Sequence, residues 1–183
     1  MDYGKQNNLN ISTVKDSEKT IAIAVNVMFL REDVKTGATQ MAIHKRIHPA
    51  KAGYNQYALP GGTQDGAETK EQAVVREMKE EVGVTILPED LSLNNVFECM
   101  TVLKKGEDVE KILHFYHFGF VCRKWQGEFK NDEPEKHTDL EWVDIDKLPL
   151  DNFFVSKGNV VNFVNNVPFS TETDFYTEIQ LDK

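Results

Sequence analysis

Cysteine is nearly missing from this chain of 183 residues, which has only Cys99 and Cys122. Both sit in apolar, strand-like surroundings and show no close metal-binding spacing, so a disulfide framework and a thiolate metal site are excluded. They read as small core residues. Basic charge is also short: 21 Lys and Arg face 30 Asp and Glu, a formal net charge of −9. That balance argues against a nucleic-acid duplex as the main partner, because such binding rests on a basic footprint. It leaves room for a nucleotide, whose phosphates a metal ion and a few local cations can meet. No stretch approaches the roughly 18–20 apolar residues that a membrane span needs. The opening "MDYGKQNNLNISTVKDSEK" lacks the apolar core of a signal peptide. A cytoplasmic, reduced protein with no membrane partner is the expectation.

What is present is ordinary for a globular protein: 40% hydrophobic and 28% charged residues, in a length that suits one domain with a buried core. Residues 1–19 are polar and aperiodic and read as a flexible N-terminal arm. Residues 20–170 read as a single domain and 171–183 as a C-terminal tail. "TIAIAVNVMFLR" (20–31) is a β-branched apolar run, expected as a strand buried on both faces. "TQMAIHKR" (39–46) is the returning strand of a hairpin, and "YALPGG" (57–62) a short strand ended by Pro60 and two glycines. Two long strands are expected over 92–105 and 111–125, a short one over 140–145, and a final helix over 155–167. Strands and helices mixed along one chain, with hairpins, give an α/β or α+β fold.

The clearest helix lies between them. Thr69 and Gln72 form a capping box, and Gly83 supplies the stop. At 100° per residue, Val74, Val75, Met78 and Val82 make a core-facing stripe. Glu77, Glu80 and Glu81 cover a neighbouring arc, with small Ala73 among them, at the edge of the buried face. Like charges at i,i+4 cost a helix a few tenths of a kcal/mol. Either these carboxylates face solvent, or something cationic gathers them. Hard carboxylate oxygens of this kind suit Mg²⁺ or Mn²⁺. Arg76 is placed to hold a carboxylate with a forked hydrogen bond, and the glycines at 61–62 let backbone approach a metal or phosphate.

The whole stretch "GTQDGAETKEQAVVREMKEEVGV" has Gly62, five residues, Glu68, seven residues, then Arg76, Glu77, Glu80, Glu81 and Gly83, with aliphatic Met78 and Val84. It resembles the Nudix box of the Nudix hydrolase superfamily at every defined position. At average residue usage, so many fixed positions coincide roughly once in ten million trials or fewer. The resemblance implies an α/β/α sandwich with a mixed central sheet and the box as loop–helix–loop. It implies Glu77, Glu80 and Glu81 as metal ligands, joined by the Gly61 carbonyl. Glu77, oriented by Arg76, is the implied base, although the base varies among members and Glu80 shares the catalytic set. Gly62, Glu68 and Gly83 support the box.

The resemblance runs on. "KRIHPAKAGYNQYALPGG" is similar to the segment that leads into the box, and "WQGEFKNDEPEKHTDLEWVDIDKLP" to a region of the MutT-like nucleoside triphosphate subgroup. There Glu133 falls at the place of a further metal ligand, with Glu128, Asp132 and Glu135 as alternatives and an exposed acidic turn as the plain reading. Asn152 falls where some MutT-like enzymes read the nucleobase; the plain reading is a local cap. Lys45 and Arg46 close a strand and meet either phosphate or solvent. Tyr54, Tyr57 and Phe153 stack on a base or belong to the core. His44, His48, His114, His117 and His137 lack the paired spacing of a zinc site. Marks of the ADP-ribose, dinucleoside polyphosphate, NADH and coenzyme A subgroups are missing after the box. The resemblance therefore implies Mg²⁺- or Mn²⁺-dependent hydrolysis of a nucleoside triphosphate to monophosphate and pyrophosphate by metal-activated water. A nucleoside diphosphate derivative as substrate, or a nucleotide-sensing module without turnover, are the alternatives. A monomer or homodimer is expected.

Overall fold

The computed structural model describes residues 19–49, 51–105 and 108–180. Its frame is an eight-stranded mixed sheet. The strands are β1 (Lys19–Glu32), β2 (Thr39–Lys45), β3 (Tyr57–Ala58), β4 (Gly61–Thr63), β5 (Leu91–Lys105), β6 (Asp108–Cys122), β7 (Glu141–Asp144) and β8 (Phe169–Gln180). The main path runs β3-β2-β1-β6-β5-β8, with β4 also on β1 and β7 on β2. β1 and β6 are parallel, as are β5 and β8; the other pairs are antiparallel. Helices α1 (Lys70–Val82) and α2 (Lys157–Val164) cover opposite faces. Alternate residues of β1 pack on opposite faces of the sheet, which is why its run is largely apolar. Val25, Val27 and Phe29 pack with Ala73, Val74, Met78 and Val82 of α1. Met28 and Leu30 pack on the other side with Leu148, Phe153 and Val160.

The short strand expected to end at Pro60 is β3, and an unexpected second strand, β4, follows it at the glycines. Pro60 has no N–H to donate, and its carbonyl instead accepts from Val27 N at 2.9 Å. The chain thereby leaves β2, which pairs with β3, and moves onto β1, which pairs with β4. β6 ends at Cys122 rather than continuing to 125, and α2 is shorter than the expected 155–167. The expected tail is a further departure: residues 169–180 pair in parallel with β5 as an outer strand. Their alternation is too weak to announce a strand, and pairing with an open sheet edge supplies the backbone partners. Residues 1–18 of the expected arm, and 181–183, lie outside the described residues.

Helix α1 begins and ends as its sequence predicts. Thr69 accepts from Gln72 N at 3.2 Å while the Gln72 side chain accepts from Thr69 N at 2.7 Å. Gly83 closes the helix in the left-handed region at φ 72°. The buried stripe is shifted, however: Val75 is half-buried, whereas Ala73 and Glu81 are buried. Thr69→Ala removes a satisfied helix cap and is expected to lower the unfolding free energy by about 1 kcal/mol, measured by urea denaturation at unchanged m-value.

Candidate active site

The start of α1 and the loop before it are held by one guanidinium. Arg76 donates through Nε and Nη2 to the two oxygens of Glu68, at 3.1 and 2.7 Å. Its Nη1 reaches Glu77 Oε1 at 2.8 Å and Glu80 Oε2 at 3.2 Å, and Nη2 also reaches the Thr63 carbonyl at 3.1 Å. Five donated bonds match the five N–H groups of an arginine. Glu68 in turn accepts from Asp65 N at 2.7 Å. The Arg76 hydrogen bond, and then that of Asp65 N, hold the Glu68 carboxyl below the usual range. Lysine has neither the fork nor the donor count for this clamp.

Glu77 is half-buried, and desolvation raises its pKa; the Arg76 hydrogen bond and charge oppose that, while Glu80 and Glu133 add to it. Its carboxyl lies against Gly62, where a Cβ would overlap the carboxyl atoms. Gly61 is equally constrained, because a Cβ there would run into the Val25 carbonyl oxygen. Gly62→Ala must therefore displace either Glu77 or β4. The overlapped atoms are the end of a flexible side chain, so Glu77 gives way first and the expected cost is about 1 kcal/mol or less of stability, read by denaturation.

Glu81 differs from its two neighbours. It is 4% exposed, and its Oε2 accepts from Gly61 N at 2.8 Å. Burial pushes its pKa up to about 8; the Gly61 N–H opposes the shift, and the charges of Glu133 and Glu77 reinforce it. Glu80 is far more open, with its side chain 57% exposed.

Glu133 arrives on a loop fastened to the end of α1. Lys130 N donates to Val82 O at 3.0 Å and Asp132 N to Glu81 O at 3.2 Å, so this loop occupies carbonyls that a helix end leaves open. Trp125 and Phe129 anchor the same loop against Phe29 and Trp142 through edge-on and stacked ring contacts. Glu133 is itself paired with Lys136. Among its alternatives, Asp132 pairs with Lys130, and Glu128 and Glu135 are exposed.

The expected substrate residues lie at and just past the end of β2 and in the turn at Leu150–Asn152. Arg46 is half-buried, its Nε bonded to Ala52 O at 2.9 Å and its guanidinium 4.9 Å from the Phe154 ring centre. Burial lowers its pKa, and the Glu81 charge opposes this, which places Arg46 within electrostatic reach of the site. Lys45 Nζ sits 5.5 Å from the Tyr57 ring centre. Asn152 is exposed and donates to Asn55 O at 3.2 Å, tying two loops together. Phe153 is a buried core residue, whereas Tyr54 is exposed.

Sequence spacing missed two residues. His44 of β2 and His137 stack at 4.1 Å with their rings 4° from parallel, and both lie beside Glu81. Backbone bonds between Lys45 and Thr138 and from Ile47 N to Lys136 O zip the 136–138 segment onto the end of β2, which brings the rings together. Burial, ahead of neighbouring positive charge, depresses both pKa values, that of His137 to about 4. The separation of these residues in the chain carries no signal of their meeting; only the tertiary pairing does.

A match to the NUDIX domain family covers residues 20–162. The chain belongs to the Nudix family. Over 108 residues it is 38% identical to the 8-oxo-dGTP diphosphatase of Haemophilus influenzae, covering 59% of this chain and 69% of that protein. Over 93 residues it is 34% identical to an ADP-ribose pyrophosphatase of Methanocaldococcus jannaschii, covering 51% and 48%. Across its curated relatives the matched stretch spans 22% to 69% of their length. A solved MutT Nudix hydrolase from Burkholderia pseudomallei shares the fold at a TM-score of 0.55 and 22% identity, over 79% of this chain and 98% of that one. The Nudix box is thus the loop–helix–loop of β4, α1 and the turn at Gly83.

Proposed function

We propose that this Nudix protein hydrolyses a nucleoside triphosphate to nucleoside monophosphate and pyrophosphate, with Mg²⁺ or Mn²⁺ as its metal. The observation that carries the reading is the intact clamp: Arg76 spans Glu68, Glu77 and Glu80 while Gly61 N–H holds Glu81. The donor set fits a hard divalent ion, being carboxylate and carbonyl oxygen: Glu77, Glu80, Glu81, the Gly61 carbonyl and Glu133. Such an ion supplies charge neutralisation at the phosphate oxygens.

The chain's own part is to orient and to move a proton. Glu77, fixed by Arg76 Nη1, takes a proton from water as the water oxygen bonds to phosphorus and the bridging P–O bond breaks. A raised carboxyl pKa makes Glu77 a stronger base than a free glutamate, in the direction that favours this transfer. Glu80 stays with Arg76 and contributes negative charge at the more open side. Arg46 and Lys45 supply positive charge at the end of β2 for phosphate, and Asn152 lies beside them for the nucleobase.

Hydrolysis of a nucleoside diphosphate derivative is the second reading, and the identity to the archaeal ADP-ribose pyrophosphatase favours keeping it. One screen separates the two: canonical and modified nucleoside triphosphates, ADP-ribose and nucleotide sugars, with Mg²⁺ and product identification. Pyrophosphate as product supports the first reading, and a phosphosugar the second. No turnover across the panel removes both and leaves a nucleotide-sensing module.

A further inference from the structure

We propose that His44, His137 and Glu81 form a second site for a borderline transition ion of the Zn²⁺ or Co²⁺ class, adjoining the carboxylate site of the Nudix box and sharing Glu81 with it. Among the described residues, these three each offer a ligand atom within 4.8 Å of the others', and all three are buried. The separations from Glu81 Oε1 are 3.6 Å to His44 and 3.2 Å to His137. A tetrahedral ion with bonds of about 2.0–2.1 Å keeps its ligand atoms about 3.3–3.4 Å apart, so the spacing already brackets what such an ion needs.

Three further features point to a ligand. Among the described residues His137 Nδ1 is buried without a hydrogen-bond partner, and its approach to Glu81 is not aligned as one. A buried polar atom left so is costly and calls for a partner. The two Glu81 oxygens are also divided in role: Oε2 is taken by Gly61 N–H, while Oε1 faces the rings. Finally, His44 and Glu81 line a cavity of about 500 Å³, with Phe129, Lys130 and Thr138 among its walls. That cavity gives an entry path and room for water at a remaining coordination position.

Imidazole nitrogen selects this ion class over Mg²⁺, which takes oxygen ligands. The site would share Glu81 with the Nudix carboxylates, through Oε1. An ion seated there would neutralise that buried charge while leaving Glu77, Glu80 and Arg76 as they are.

Titration of the full chain with Co²⁺, without nucleotide, tests the proposal. One equivalent is expected to give the intense visible bands of a low-symmetry four- or five-coordinate Co²⁺ ion. Zn²⁺ should displace it and excess Mg²⁺ should not. Losing an outer-sphere partner of a metal ligand costs 10–100-fold in affinity, so His44→Ala or His137→Ala, which lose a ligand itself, should weaken Co²⁺ binding by about a hundredfold or more. Glu77→Gln should keep the spectrum. Weak octahedral bands that vanish in E77Q but survive in H137A would place the ion on the helix carboxylates and overturn the proposal, as would no binding at all. If the histidine variants fail to fold, imidazole ¹⁵N spectra of the wild type decide. One equivalent of Zn²⁺ should shift the Nδ1 signals of two of the five histidines, and unchanged signals refute the site.

Discussion

Glu77→Gln is expected to lower kcat by a factor of about 10²–10⁴, the range that a positioned general base contributes. The amide keeps an oxygen that can still accept from Arg76 Nη1, now 2.8 Å from Glu77 Oε1. Helix α1 and the Arg76–Glu68 fork should therefore persist, and the melting temperature should change little. KM should move less than kcat, because the amide keeps one oxygen for the metal but can no longer take a proton. In the wild type, activity should fall on the acid side as Glu77 protonates, at a pH above the ordinary carboxylate value, because burial raises it. Steady-state kinetics with the substrate found in the nucleotide screen, beside circular dichroism of both proteins, makes the test. Near-wild-type kcat in a folded E77Q would move the base to another carboxylate.

The second large effect concerns Glu81. In the metal-free protein its folded pKa is about 8, against 4.5 for a free glutamate, because the side chain is buried. A raised pKa means that the folded state holds a proton the unfolded state has released. Its stabilisation is complete below the unfolded pKa and is lost as pH rises through the folded one. His44 and His137 act in the opposite sense. Their pKa values are lowered from 6.5, so their contribution is present above 6.5 and is lost as pH falls. Between pH 6.5 and 8 the Glu81 slope therefore stands apart from theirs. At about 1.4 kcal/mol per pH unit, stability should drop by about 2 kcal/mol across that window, or roughly 4–8 °C in melting temperature. Glu81→Gln should flatten the slope, and divalent metal should do so in the wild type by binding the carboxylate form. Glu77 shifts in the same direction, so E77Q serves as the parallel control. An unchanged slope in E81Q would show that Glu81 is not the group responsible.

The sequence carried a good deal of the fold because its local signals are unambiguous. The capping box at Thr69, the stop at Gly83 and the largely apolar run of β1 each follow from chemistry confined to a few residues; the cap and the stop stand as read, and β1 is buried on both faces from Ala24 to Leu30 but open at Ile21. Where the reading departed, the cause was non-local. β8 is a strand because β5 offers it an edge, and Pro60 divides β3 from β4 because two different strands receive them. Helical periodicity put Val75 in the core and Ala73 on the acidic arc. The sheet instead meets the helix a little further round, which buries Ala73 and, with it, Glu81.

The same division runs through the site. Helical spacing put Arg76 one turn from Glu80 and next to Glu77, and the resemblance to the Nudix box added Glu68 to the group. Spacing could not say that the three glutamates are unequal. Glu80 is open to solvent, Glu77 is half-buried on Gly62, and Glu81 is enclosed between Gly61 and two histidines. That inequality comes from β4, from the end of β2 and from the 126–140 loop, all of which reach the helix only after the chain has folded. The sequence by itself determined where the Nudix box lies, because the motif is contiguous and a helix repeats every 3.6 residues. Burial, and the meeting of His44 with His137, were decided by tertiary structure, because both depend on which distant strands close over the same carboxylate.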